Sequence, residues 1–157
     1  MRNYLDHCQK VEQLMGEIYR KLAGVETYSE KLRSIFERMA RDEDDHARQL
    51  GVAKSVPEDV FFEGGRFDSK KLDELLRRAH QLLRMAEDPP RSESLMLETA
   101  KDMEMEFIKI HLQNAVKFRD AAMAELFRDM AREDEKHFET LDSYYPSSKK
   151  TSRYPLH

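Results

Sequence analysis

Met39-Ala40-Arg41-Asp42-Glu43-Asp44-Asp45-His46 comes back later in the chain as Met130-Ala131-Arg132-Glu133-Asp134-Glu135-Lys136-His137. A charge-rich helical string means little alone, because most such strings are solvated surface. Its recurrence with Met, Arg and His held in place raises a sharper question: which face of each helix do these charges occupy? Around the first copy, the stripe reads Leu32, Phe36, Met39, Glu43, His46 and Leu50, in steps of 4, 3, 4, 3 and 4. That is the spacing of one helix face. Glu43 and His46 therefore stand in core positions, off the solvated face that carries Asp42, Asp44 and Asp45. The second copy repeats the pattern with Met123, Phe127, Met130, Asp134, His137 and Leu141.

Working outward, four long segments carry a helical period, at about residues 3–22, 29–52, 92–118 and 120–144. Gly24 is placed to cap the first helix, and Asp120 to cap the start of the last. The short connections make two antiparallel hairpins. Between them, residues 53–91 form a long crossover with Pro57, Gly64-Gly65 and Pro89-Pro90, and a fifth helical pattern at about 69–86. The expected architecture is all-α: a four-helix bundle of two hairpins, one domain over residues 1–143, with a polar, basic tail over 144–157. The hairpins are an internal repeat. Extended backwards, the match sets Glu12 against Glu104, Tyr19 against His111 and Ala23 against Ala115.

Composition agrees with long helices. Glycine and proline are scarce, five each in 157 residues, and 37% of residues are charged. A net charge of −4 gives no argument for nucleic acid, and no basic amphipathic stretch points to a membrane surface. Cys8 is the single cysteine, which excludes an intramolecular disulfide and any thiolate-rich metal site within the chain. The first residues, MRNYLDHCQKVEQ, lack the apolar run of a signal peptide, and no stretch reaches transmembrane length. A reduced, cytoplasmic location is the expectation.

The remaining stripes carry carboxylates too. Steps of 3 and 4 from Leu5 give Cys8, Glu12, Met15, Tyr19 and Leu22; from Leu97 they give Ala100, Glu104, Phe107, His111 and Ala115. Glu12 and Glu43 lie at similar distances from the first turn, as Glu104 and Asp134 do from the second. At about 1.5 Å per residue, all four carboxylates reach one level of the bundle. Unpaired buried carboxylates are costly and repel one another. A pair of divalent metals removes that cost, and oxygen and imidazole donors without thiolate suit iron or manganese.

Glu12 and Glu104 as single carboxylates, with Glu43-x-x-His46 and Asp134-x-x-His137, resemble the ferritin-like superfamily, and within it the rubrerythrin-like di-iron proteins. The resemblance covers both hairpins. It implies two iron ions, with Mn or Zn as alternatives, held by Glu12, Glu43, His46, Glu104, Asp134 and His137, with Glu43 and Asp134 bridging. It implies reaction with hydrogen peroxide or dioxygen, and it is compatible with a homodimer. Two features depart from the family: Asp134 is one methylene short of the usual Glu, and no rubredoxin-type Cys-x-x-Cys pairs are present. Turnover would then need an external electron donor. Two non-enzymatic readings stand beside this one: iron binding or sensing without turnover, and a metal-free bundle used for protein interaction.

Around the six, Glu133 competes with Asp134 for the ligand position. Tyr19 and His111 read either as core residues or as hydrogen-bond partners of the ligands. Glu106 reads as a surface residue, with an additional carboxylate at the centre as the alternative. Cys8 and the methionines read as core, and His7 and His80 as surface.

Overall fold

The computed structural model describes residues 2–55, 69–90 and 92–144. The start of the crossover and the tail beyond Tyr144 lie outside these residues. Five helices follow in order: α1 (Arg2–Ala23), α2 (Glu30–Ala53), α3 (Ser69–Glu87), α4 (Glu93–Ala115) and α5 (Ala121–Ser143). Among the described residues there is no strand.

The helix starts follow from local chemistry. Ser29 and Asp120 both have extended backbone, and their side chains accept from the backbone N–H of Leu32 and Met123. Each satisfies one of the donors that a helix start leaves free. Gly24 closes α1 through its N–H to the carbonyls of Arg20 and Lys21. Its φ lies outside the left-handed region, so glycine's special freedom is not used there. The third long helix stops at Ala115, short of the expected 118. The chain has to turn before the extended cap at Asp120, and Phe118 leaves the helix to stack on Phe127 at 5.1 Å.

Helices α1 and α2 form one hairpin and α4 and α5 the other; α2 packs on α5, and α3 lies against both α1 and α4. The crossover helix thus covers the seam between the hairpins on one side. This explains why α4 is buried around much of its circumference, with Met96, Met103, Ile108 and Ile110 inside as well as the Leu97–Ala100–Phe107 stripe. The core runs the length of the bundle. Tyr19, Phe36, Phe107 and Phe127 are its largest fully buried side chains, each stabilising by roughly 1.5–3 kcal/mol.

One end of the bundle is tied by a polar knot. Glu93 accepts from the Ser29 N–H at 2.7 Å and from the Tyr144 hydroxyl at 2.9 Å. Tyr144 also meets the Ser29 hydroxyl and is buried. It belongs to the core rather than to the polar tail in which the sequence pattern places it. Tyr144→Phe is expected to cost about 1–3 kcal/mol, because Glu93 keeps its charge and loses a donor. Thermal unfolding checks this; an unchanged midpoint would mean that the knot contributes nothing.

Candidate metal centre

Halfway along the bundle the apolar stripes are interrupted by ionisable side chains, all buried: Glu12 from α1, Glu43 and His46 from α2, Glu104 and His111 from α4, Asp134 and His137 from α5. At this level α1 passes close to α2 at Gly16, where the α2 backbone at the Ala40 carbonyl is 3.5 Å from a Cβ position. A Cβ there would meet Asp44 Oδ1 at 2.9 Å, and that carboxylate is held by Arg20.

The donor atoms fall into two overlapping groups. Glu12, Glu43 and His46 form one; Glu43, Glu104, Asp134 and His137 form the other, and within each group the donor atoms lie within 4.8 Å of one another. Glu43 belongs to both, and Asp134 only to the second. His46 Nδ1 stands 3.6 Å from Glu12 Oε2, 3.4 Å from Glu43 Oε2 and 4.0 Å from Asp134 Oδ1. His137 Nδ1 stands 3.3 Å from Glu104 Oε2 and 3.5 Å from Glu43 Oε1.

The satisfaction of these atoms is uneven in an informative way. Glu12 Oε2, both Glu43 oxygens, His46 Nδ1 and Asp134 Oδ1 are buried with no hydrogen-bond partner. Buried polar atoms are rarely left so. The outward-facing atoms of the same groups are, by contrast, well partnered. His46 Nε2 donates to Glu133 Oε2 at 2.7 Å, and His137 Nε2 donates to Asp42 Oδ2 at 3.0 Å. Each histidine is thereby oriented with Nδ1 inward by a carboxylate from the other hairpin, the arrangement that metal-ligating imidazoles usually show. Glu133, the competitor for Asp134, is half exposed and does this outer work; Asp134 is the buried one.

Tyr19 and His111 also reach across. The Tyr19 hydroxyl donates to Glu104 Oε1. His111 Nε2 donates to Glu12 Oε1 at 3.1 Å, and its Nδ1 to Asp134 Oδ2 at 2.7 Å. Glu106 lies apart, in an ion pair with Lys109 on the surface. Cys8 is buried, and burial pushes its thiol far up. His7 and His80 bond to carbonyls of their own helices on the surface.

The electrostatics describe a centre crowded with like charge. Burial drives the Asp134 carboxyl up to about 7, with His111 pulling it back. Burial also raises Glu104. Glu12 goes the other way: burial works against its charge, but His111 and His46 outweigh it. Burial opposes the charged form of each histidine as well. The Asp134 and Glu12 carboxylates nevertheless push His111 up to about 10. Carboxylates likewise raise His46 and His137. Protons on imidazoles and carboxyls thus do the neutralising that divalent cations do in a carboxylate–imidazole site.

Asp42 and Glu133 escape a stripe-based reading because they sit one position before the core carboxylates, on the exposed side. The signal that finds them is the repeat: each precedes the core carboxylate of its own string. No family model matches the chain, and no curated protein or solved structure matches it. The chain is a helical bundle, compatible with a ferritin-like fold, with a buried cluster of Glu, His and Asp able to hold a metal ion.

Proposed function

We propose that this protein is a di-iron carboxylate protein of the rubrerythrin-like kind, reacting with hydrogen peroxide or dioxygen with electrons from a separate donor. The observation that supports it best is the set of five unpartnered buried atoms on Glu12, Glu43, His46 and Asp134, converging from three helices. A purely structural polar network hydrogen-bonds its members; here the atoms that face the middle meet only at 3.4–4.0 Å, imidazole nitrogen to carboxylate oxygen.

In this reading Glu43, common to both donor groups, would serve two cation positions, one with Glu12 and His46 and the other with Glu104, Asp134 and His137. When bound, iron would supply the electrons for reduction of the oxidant. The rest is the work of the chain. Asp42 and Glu133 hold the two imidazoles in orientation. Tyr19 holds Glu104, and Phe36 stacks on Tyr19 at 5.8 Å. Phe107 and Phe127 flank His111 and help to keep water from the centre. Cys8 is the lone thiol and is buried, so the chain carries no dithiol of its own to feed electrons.

Anaerobic loading with Fe(II) and elemental analysis, with Mn(II) and Zn(II) in parallel, tests the centre. About two metals per chain are expected, with an absorption change on adding peroxide. A chain that takes up none of the three metals refutes the reading. Iron binding or sensing without turnover is the second reading, favoured by the complete burial of Glu43, His46, Glu104 and Asp134. Steady peroxide consumption with a reductant separates it from the enzyme.

A further inference from the structure

Resting on that reading, we propose that His111 is a positioning residue matched to the short carboxylate of Asp134. It clamps Asp134 and Glu12 from behind, so that each turns one free oxygen to the metal.

The repeat shows what is unusual about His111. It stands seven residues after Glu104, as Tyr19 stands seven after Glu12. Both side chains cross the bundle to the single carboxylate of the other hairpin: Tyr19 to Glu104, His111 to Glu12. A tyrosine hydroxyl offers one donor. An imidazole has two ring nitrogens in a fixed plane, both of them donors when the ring is protonated, and His111 sets the second against Asp134 Oδ2 at 2.7 Å. Its counterpart Glu43, the carboxylate at the same place in the other string, has no hydrogen bond on either oxygen; its nearest imidazole nitrogens are His46 Nδ1 at 3.4 Å and His137 Nδ1 at 3.5 Å. The additional contact therefore falls on the one core carboxylate that is Asp rather than Glu.

The atoms divide as a clamp requires. On Glu12 and Asp134 the oxygens that His111 holds are Oε1 and Oδ2. The other two, Glu12 Oε2 and Asp134 Oδ1, are the unpartnered ones. His46 Nδ1 lies 3.6 and 4.0 Å from these same two oxygens. The ring has little freedom, with Phe107 stacked at 6.0 Å and Phe127 tilted against it at 5.8 Å. A Glu at position 134 would carry its carboxylate about 1.5 Å further, into the space of the ring that now holds Oδ2 at 2.7 Å. Asp134 and His111 thus fit as a pair, and neither alone suits the longer residue.

The test is a double-mutant cycle on the full chain: wild type, Asp134→Glu, His111→Asn and the double variant, titrated with Co(II) and read by stoichiometry and visible spectrum. Each single change is expected to weaken the metal position that Asp134 serves by about 10–100-fold. The double variant is expected to recover most of that loss, because Glu reaches the metal once the ring is gone. Additive losses, or an unchanged Asp134→Glu, overturn the matching. Wild type binding two Co(II) with an additive cycle sinks this inference alone; wild type binding none sinks the proposed function with it. A second measurement needs no variant. Nitrogen NMR of the Zn(II)-loaded wild type should show His46 and His137 metal-bound and neither nitrogen of His111 bound. A metal-bound His111 makes it a ligand and overturns the positioning role.

Discussion

Glu43→Met is expected to make the metal-free protein more stable while removing its ability to hold metal. Both oxygens of Glu43 are buried without a hydrogen-bond partner, and the carboxylate sits among those of Glu12, Glu104 and Asp134. Four carboxylates there face three imidazoles, those of His46, His111 and His137. Removing one carboxylate evens the count, and methionine fills similar volume with a flexible apolar chain. Removing this charge relieves the repulsion among the four carboxylates, while His46 and His137, 3.4 and 3.5 Å from its oxygens, keep Glu12 and Glu104 beside them. A net gain of about 1 kcal/mol is therefore expected. For a chain of this size that raises the thermal midpoint by about 2–4 °C per kcal/mol. Metal uptake should fail at both positions, since Glu43 is common to both donor groups. Glu43→Ala should lose metal equally but leave a cavity, and so gain less or lose stability. This trade of stability for a functional site is what separates a metal centre from a structural polar network. A lower midpoint for Glu43→Met than for wild type would show that Glu43 stabilises the metal-free bundle as it stands and would overturn the trade; metal uptake by the variant would overturn the assignment of Glu43.

How far the sequence could be read depended on whether periodicity carries the information. Core stripes are local, so the burial of Glu43, His46, Asp134 and His137 follows from steps of 3 and 4 that any helix enforces. The common level of Glu12 and Glu104 follows from hairpin geometry. Partners across the bundle are not local. A stripe says that Tyr19 and His111 face inward, not that each reaches the other hairpin's carboxylate. Nor does a stripe assign work to exposed Asp42 and Glu133, which depends on which helix lies beside which. Likewise the fifth helical pattern could be found by its leucines. Its seat against α1 and α4 could not, since a crossover can return on either side of a bundle. Tyr144 stands where the last helical stretch meets the polar tail, so its burial is not local either: it comes from Ser29 and Glu93, far away in the chain.

Divalent metal should stabilise the protein more as the pH rises. In the metal-free protein Asp134 has its carboxyl raised from an ordinary 3.8 to about 7. His111 is raised from 6.5 to about 10. Both raised groups bind a proton more tightly folded than unfolded. Their contributions are therefore complete below the unfolded values, 3.8 and 6.5, and fade as pH climbs through 7 and 10 respectively. Metal binding has the opposite slope at Asp134, because a cation must displace the proton that the carboxyl keeps below about 7. Affinity should therefore fall by at least about tenfold for each pH unit below that value, about 1.4 kcal/mol, because His46 and His137 must give up protons as well. With Mn(II) at about 100 times its dissociation constant, mass action adds about 2.7 kcal/mol, or roughly 5–11 °C in the midpoint at about 2–4 °C per kcal/mol. Thermal unfolding at pH of about 5.5, 7 and 8.5, with Mn(II) and with EDTA, gives the two curves directly. The gap should be small at the lowest pH and widest at the highest, and EDTA should close it throughout. A gap that stays constant would mean that the cation does not meet Asp134. No gap at any pH would mean that the buried cluster holds protons only, and that both matching strings serve the bundle and not a metal.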